Sequence, residues 1–179
     1  MRPVVVYALL SLDGTAESPD QFIEEWDDEL DANLAAVIGE QDTVLLGRRM
    51  YDEWSVHWPG SDMEPFSSFI NSVPKYVFSS TPLSRDWSCS TRVGGRAEEF
   101  VARLKQTPGR AIGVHGSLIL AGSLLRAGLV DQLRLVVAPV TAGTGRPLFD
   151  AVERDRWRLR DARSGSSGAL IVHYDRRTD

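Results

Sequence analysis

Val4–Leu10 is a continuous apolar run rich in β-branched residues, the pattern of a central strand covered on both faces. Ser11-Leu12-Asp13-Gly14 closes it as a polar turn. Ser18-Pro19-Asp20-Gln21 then has the form of a helix start: Ser18 caps, Pro19 takes the first helical position and Gln21 completes a capping box. Ile23, Trp26, Leu30, Leu34 and Val37 follow at helical spacing until Gly39, opposite an acidic face of Glu24, Glu25, Asp27, Asp28 and Asp31. Thr43–Leu46 is a second buried strand, running through Gly47 into a short helix from Arg48 to Trp54. Further strands are expected at Pro74–Ser79, at Ser88–Val93 as a short edge, and at Ala111–Val114. Helices are expected at Ala97–Lys105 and Ser117–Arg126.

From Gln132 onward the pattern is strands alone: Gln132–Ala138, then Trp157–Ala162 and Ala169–Tyr174 joined by the Gly/Ser turn Ser164–Gly168, an antiparallel pair. Alternating strand and helix followed by strands alone predicts an α/β fold with a mixed, mostly parallel sheet and helices on both faces. No repeat, low-complexity tract or long linker divides residues 1–179, so one domain is expected.

Composition narrows the function classes. The 179 residues carry a net charge of −5, which argues against a broad nucleic-acid-binding face. Lys75 and Lys105 are the only lysines among the 20 basic residues, so nearly every cation is an arginine, a bias that also suits anion recognition. Cys89 is the single cysteine and builds neither an internal disulfide nor a thiolate metal site, so no metal is expected and a cytoplasmic setting fits. No apolar stretch has the length of a membrane span.

Three strand ends carry candidate chemistry. In Leu46-Gly47-Arg48-Arg49-Met50, a buried strand meets a helix through a glycine, with two cations in the first turn. Cations there oppose the helix dipole, so a phosphate between them makes better sense than solvated surface charge. Ser79-Ser80-Thr81 offers three hydroxyls to ribose or phosphate oxygens, though a plain polar turn before Pro82 has the same form. In Val114-His115-Gly116-Ser117-Leu118, Gly116 admits close approach to the backbone and the next helix presents free N–H groups. This is neither the Rossmann glycine pattern nor a Walker motif. His115 alone reads as a structural histidine as readily as a ligand contact. Ligands of open α/β sheets sit beyond the carboxyl ends of the strands, where all three sites lie, so an extended phosphate-bearing ligand is expected.

These residues in this order resemble the dihydrofolate reductase-like superfamily, and more narrowly stand-alone relatives of the RibD C-terminal domain, the 5-amino-6-(5-phosphoribosylamino)uracil reductase of riboflavin biosynthesis. The resemblance rests on Val5–Gly14, Leu45–Tyr51, Lys75–Thr81, Val114–Leu125 and Leu129–Phe149. It implies about eight strands with flanking helices, NADPH as cofactor, a small heterocyclic or sugar-derived substrate, and a homodimer. It places the backbone of Ala8 against the nicotinamide carboxamide. Phosphate falls to Gly47, Arg48 and Arg49, the adenosine side to Ser79, Ser80 and Thr81, and the pyrophosphate to His115, Gly116, Ser117 and Leu118.

Two departures stand out. Met50 replaces the family's usual threonine after Gly-Arg-Arg, and the zinc deaminase signature of full-length RibD proteins is absent. Hydride transfer also requires a proton for the substrate. Asp13 is the first candidate donor, with turn formation as its equal alternative, and Asp27 the second. Trp26, Trp54 and Trp58 can stack a flat substrate or serve the core. Alternatives to the reductase are a non-catalytic NADPH-binding dimer of the same fold and a dihydrofolate or pterin reductase.

Overall fold

A computed structural model describes residues 1–177. Eight strands form one sheet: β1 (Val4–Leu10), β2 (Gln41–Gly47), β3 (Lys75–Phe78), β4 (Ser90–Val93), β5 (Ala111–Val114), β6 (Gln132–Val137), β7 (Trp157–Ser164) and β8 (Leu170–Arg176). Their order is β4-β3-β2-β5-β1-β6-β8-β7. Every pair from β4 through β1 to β6 is parallel. Strand β8 turns back antiparallel on β6, and β7 pairs antiparallel with β8. The expected mixed sheet with an antiparallel closing pair is present, its hairpin turn closed by Gly165 N–H to the Ala169 carbonyl at 2.8 Å.

Five helices cover it: α1 (Asp28–Gly39), α2 (Arg48–His57), α3 (Phe66–Ser72), α4 (Ala97–Leu104) and α5 (Leu118–Arg126). Alternation along the strands divides the core. Val4, Val6, Leu45, Ile112, Val114, Leu133 and Leu135 pack under α4 and α5 against Val101, Leu120 and Leu124. The opposite face carries Val44, Leu46 and Val77 against Ile38, Tyr51 and Ile70, and Tyr7, Val136 and Ile171 against Leu30 and Val37. Helices α1, α2 and α3 therefore share one face, and α4 and α5 the other.

One local expectation needs correction. The first long helix starts at Asp28 and not at Ser18. Ser18 sits at φ 52° with no side-chain cap, and Pro19–Gln21 makes only a single 3-10 turn. Asp27 is the N-cap, its carboxylate accepting the Leu30 N–H at 2.8 Å. Ile23 and Trp26 thus lie ahead of the helix, and Trp26 is 41% exposed. Helix α3 lies in a stretch to which the sequence pattern assigns no element; it is held by Phe66 and Ile70, which plug into the core beside Tyr51.

Candidate functional site

The carboxyl ends of β3, β2, β5 and β1 are adjacent because those strands are parallel neighbours. Each expected anion-binding segment emerges from one of them. Strand β5 pairs with β1 only as far as Val6 opposite Val114, whereas β6 follows β1 on to Leu10 opposite Val137. The segment that includes Ala8, half-buried, therefore extends past the end of β5 with strand pairing on its β6 side alone, at the point where the chain turns off through His115-Gly116.

Helices α2 and α5 start side by side. A Cβ on Gly47 would lie 2.7 Å from the Ser117 Cβ and 2.8 Å from its Oγ, so only glycine lets the two corners meet this closely. Neither helix has a side-chain N-cap, and neither has an acid in its first turn. Helix α1, by contrast, is capped by Asp27 and has Asp28, Glu29 and Asp31 in its first turn. Two bare N-termini within contact of one another concentrate unsatisfied N–H groups and the positive ends of two dipoles. The Gly116–Ser117 peptide is cis. Met50 lies against Gly116, its terminal methyl carbon 2.4 Å from where a Cβ would stand, and so fills part of the space beside the α5 start.

Arg48 joins two of the three segments. Its Nε donates to both carboxylate oxygens of Asp52 at 2.8 Å, one turn along α2. Its Nη1 donates to Thr81 Oγ1 at 2.8 Å, to Ser79 Oγ at 3.3 Å and to the Pro82 carbonyl. The Asp52 carboxyl is drawn below its ordinary range, first by the Ser84 hydroxyl and then by Arg48. Arg49 points outward, 79% exposed, with a 3.2 Å contact to Glu53 and Glu17 also within its electrostatic reach. The 79–81 segment closes on itself, Ser79 Oγ donating to the Thr81 carbonyl at 2.7 Å and accepting the Thr81 N–H at 3.2 Å. Ser80 stands at the turn of this loop.

The His115 imidazole turns away from the α5 N-terminus. It packs among Tyr7, Phe66 and Phe69, and its Nε2 meets Gln41 Oε1 at 2.7 Å. Gly113 opens that route, because a Cβ there would overlap the Gln41 amide. Burial lowers the His115 pKa to about 4, so the ring is neutral at pH 7. At this strand end a ligand would meet the backbone of His115, Gly116, Ser117 and Leu118, not the imidazole.

Both candidate acids carry structural loads. Asp13 accepts the Ser11 hydroxyl at 2.6 Å and the N–H groups of Ala142 and Gly143 at 2.9 and 2.8 Å. These bonds lower its pKa to about 2. It is one of several ties between the loop after β1 and the loop after β6; Leu12 N–H to the Val140 carbonyl and Arg146 to Glu17 are others. Asp27 caps α1 and takes the Ser167 N–H of the β7–β8 turn at 2.8 Å, and Ser167 above all holds its pKa at about 2. Both carboxyls are therefore ionised near neutral pH in this arrangement. Trp54 and Trp58 pack edge-on against Phe66 as an aromatic cluster on the α2–α3 side, and Trp26 donates to Asp31.

Sequence reasoning missed Asp52, although its i+4 spacing from Arg48 was visible, and also Gln41, which holds the His115 ring, and Arg92, which donates to the Ser79 carbonyl; both arrive through cross-strand register. Among the described residues no group of three or more His, Cys, Asp or Glu side chains could hold a metal ion, and no helix is long and apolar enough to cross a membrane.

Parallel strand ends that present two bare, abutting helix N-termini are an arrangement suited to an anionic ligand. The chain is a member of the RibD C-terminal domain family, which it matches over residues 2–172. The Bacillus subtilis (strain 168) protein YwjB, itself uncharacterized, is 30% identical over 179 residues, covering 98% of each chain. The solved structure of a putative riboflavin biosynthesis protein from Shewanella sp. PV-4 superposes with a TM-score of 0.79 at 18% identity, covering 98% of this chain and 99% of that one. Dihydrofolate reductase from Enterococcus faecalis, solved with NADP(H), gives a TM-score of 0.68 at 15% identity, covering 99% and 97%. The fold is dihydrofolate reductase-like.

Proposed function

We propose that this chain is an NADPH-dependent reductase that binds its cofactor across the carboxyl ends of β3, β2, β5 and β1. The observation that carries the proposal is the contact of two uncapped, acid-free helix N-termini at Gly47 and Ser117, with Arg48 beside them. That arrangement fits a pyrophosphate, whose charge answers both the dipoles and the guanidinium. Membership of a reductase family and the fold shared with an NADP(H)-bound enzyme support the choice of nucleotide.

In this reading the backbone at Gly47 and at His115–Leu118 receives the pyrophosphate, and Ser79, Ser80 and Thr81 flank the adenosine. The Ala8 backbone faces the nicotinamide carboxamide. NADPH bound there supplies a hydride to an electron-poor C=N or C=O carbon of a small heterocyclic or sugar-derived substrate. The chain's own part is to orient donor and acceptor and to keep the loops closed around them. With Asp13 and Asp27 held ionised by their loop contacts, the substrate's proton comes from solvent. Asp13 acts instead as a clamp that positions the loop beyond β1. A homodimer is part of the proposal, checked by sedimentation equilibrium.

The same commitment of both carboxylates favours a second reading, a binding protein of this fold without turnover. Quenching of tryptophan fluorescence on titration with NADPH tests the shared part: saturable binding is expected, and none at millimolar cofactor overturns both. Oxidation of NADPH followed by absorbance with pyrimidine, pterin and flavin-precursor substrates separates them. Turnover is expected, and binding without any turnover selects the second.

A further inference from the structure

A chain of side-chain hydrogen bonds runs beneath α1, and chemistry fixes the direction of each link. Arg134, on β6, has donors alone, so its Nη1 donates to His173 Nδ1 at 2.8 Å. His173 lies opposite Arg134 on β8, and burial and then the Arg134 charge lower its pKa. The ring is neutral at pH 7 and carries its one proton on Nε2. That proton is donated to Asn33 Oδ1 at 2.9 Å. With its oxygen engaged, the Asn33 amide offers only the hydrogens of Nδ2. Asn33 is 0% exposed, and its Nδ2 has no hydrogen-bond partner among the described residues. Asn33 in turn bears on the Tyr7 hydroxyl, whose pKa is raised first by burial and also by Asp31. That hydroxyl stays protonated, and it too has no partner among the described residues, on a side chain only 8% exposed. Two buried donors therefore meet without an acceptor, an arrangement that costs stability unless something supplies one.

Position in the sheet indicates what the acceptor belongs to. Tyr7 is the residue before Ala8 on β1 and faces α1, its ring 5.7 Å from that of His115. Leu9 and Leu34, which pack on the same cluster, are only half-buried, so the cover toward the carboxyl ends is thin. A carboxylate suits this place poorly: Asp31 already acts on Tyr7, and the Arg134 guanidinium is shared with Glu40. An amine would set donors against donors. A neutral carbonyl oxygen has two lone pairs and takes one bond from each group. We propose that Tyr7 Oη and Asn33 Nδ2 form a two-donor site for a carbonyl oxygen of the substrate, with His173 as the positioning residue that holds the Asn33 amide in its donor orientation. This rests on the reductase reading above and deepens it: the substrate is an oxo compound whose carbonyl lies on the α1 side of β1, and a ring that presents amino groups there is refused.

Calorimetric titration of wild type, Tyr7→Phe, His173→Leu and His173→Gln with pteridine-2,4-dione and 2,4-diaminopteridine, with and without NADPH, tests it. The two probes share a ring system and exchange two acceptors for two donors. The readout is the ratio of the two affinities, because a general loosening of the fold weakens both probes alike. Wild type is expected to bind the dione about tenfold or more tightly than the diamine. Tyr7→Phe keeps the ring's packing and should weaken the dione about tenfold, the loss of one hydrogen bond, with the diamine within about twofold. His173→Leu frees the Asn33 amide to turn and should lose the preference. His173→Gln can accept from Arg134 and donate to Asn33, and should restore part of it. A wild type that binds neither probe at millimolar concentration, binds both equally or prefers the diamine overturns the donor pair, and so does a Tyr7→Phe ratio equal to that of wild type. A ratio unmoved in His173→Leu overturns the role of His173. Preference for the dione without any NADPH binding overturns the reductase reading and leaves the donor pair standing; NADPH binding without the preference does the reverse. Circular dichroism verifies that each variant is folded, and Tyr7→Phe, which removes one oxygen, carries the test should His173→Leu not fold.

Discussion

The two ends of the parallel strands treat their cations in opposite ways. At the amino ends, Arg2 is 6% exposed and fully engaged. Its Nε donates to the Arg110 carbonyl at 2.8 Å, its Nη2 to Thr43 Oγ1 at 2.7 Å and to Asp42, which also takes the Arg110 N–H. Lys105, 5% exposed, donates to the Leu129 carbonyl and to Asp131, whose carboxylate also holds the Val4 N–H at 2.7 Å. Both cations close their charge on a carboxylate of the chain. At the carboxyl ends, Arg49 and Arg92 are exposed and two helices start without caps. Arg2 and Lys105 serve the fold, and under the proposed function Arg48 and the two bare helix starts serve a ligand.

Substitutions should separate the two ends cleanly. Asp131→Ala strands the buried Lys105 ammonium and the Val4 N–H, and is expected to cost roughly 2–4 kcal/mol. Urea denaturation measures the loss, while NADPH affinity of the folded protein stays the same. Arg48→Ala should do the reverse: its ion pair is partly exposed, so stability falls by less than about 1 kcal/mol, whereas NADPH binding weakens by about 2 kcal/mol, some thirtyfold. A variant that moved both quantities equally would dissolve the distinction. Asp27→Ala removes the α1 cap, a helix start satisfied within the chain, and should cost about 1 kcal/mol with little change in cofactor affinity.

The remaining effects are slopes against pH. His115 has its pKa lowered to about 4, below the ordinary 6.5, so between those values the unfolded chain binds a proton that the folded chain does not. Its contribution to stability is present above pH 6.5 and is lost as pH falls toward 4; His115→Gln should flatten that part of the urea-midpoint profile. Asp13 and Asp27, with folded values near 2 against an ordinary 3.8, contribute stability present above about pH 4 and lost as pH falls toward 2. Asp13→Asn should differ from wild type at pH 7 and converge with it at the acid end.

Much of this was legible in the sequence, for identifiable reasons. Val4–Leu10 and Ala111–Val114 are apolar runs that only a doubly covered strand explains, and Gly47 and Gly116 mark the corners where strand meets helix. The start of α1 was not legible, because Ser-Pro-Asp-Gln has the form of a helix start and also of an isolated turn; what decides is Asp27 reaching both Leu30 and Ser167, a contact spanning 140 residues. Helix α3 was hidden because Phe66 and Ile70 gain their meaning only from the core they enter. At the site, the three segments could be read, but the inward turn of His115 toward Gln41 and the arrival of Arg92 at Ser79 depend on strand register, which no local pattern carries.

The most direct test of the central claim is a crystal of the protein soaked with NADPH. The account predicts pyrophosphate density between the Gly47 and Ser117 corners, with the nicotinamide beside Ala8 and the adenosine end at Ser79–Thr81. Density elsewhere on the molecule, or an empty corner at millimolar cofactor, would contradict it.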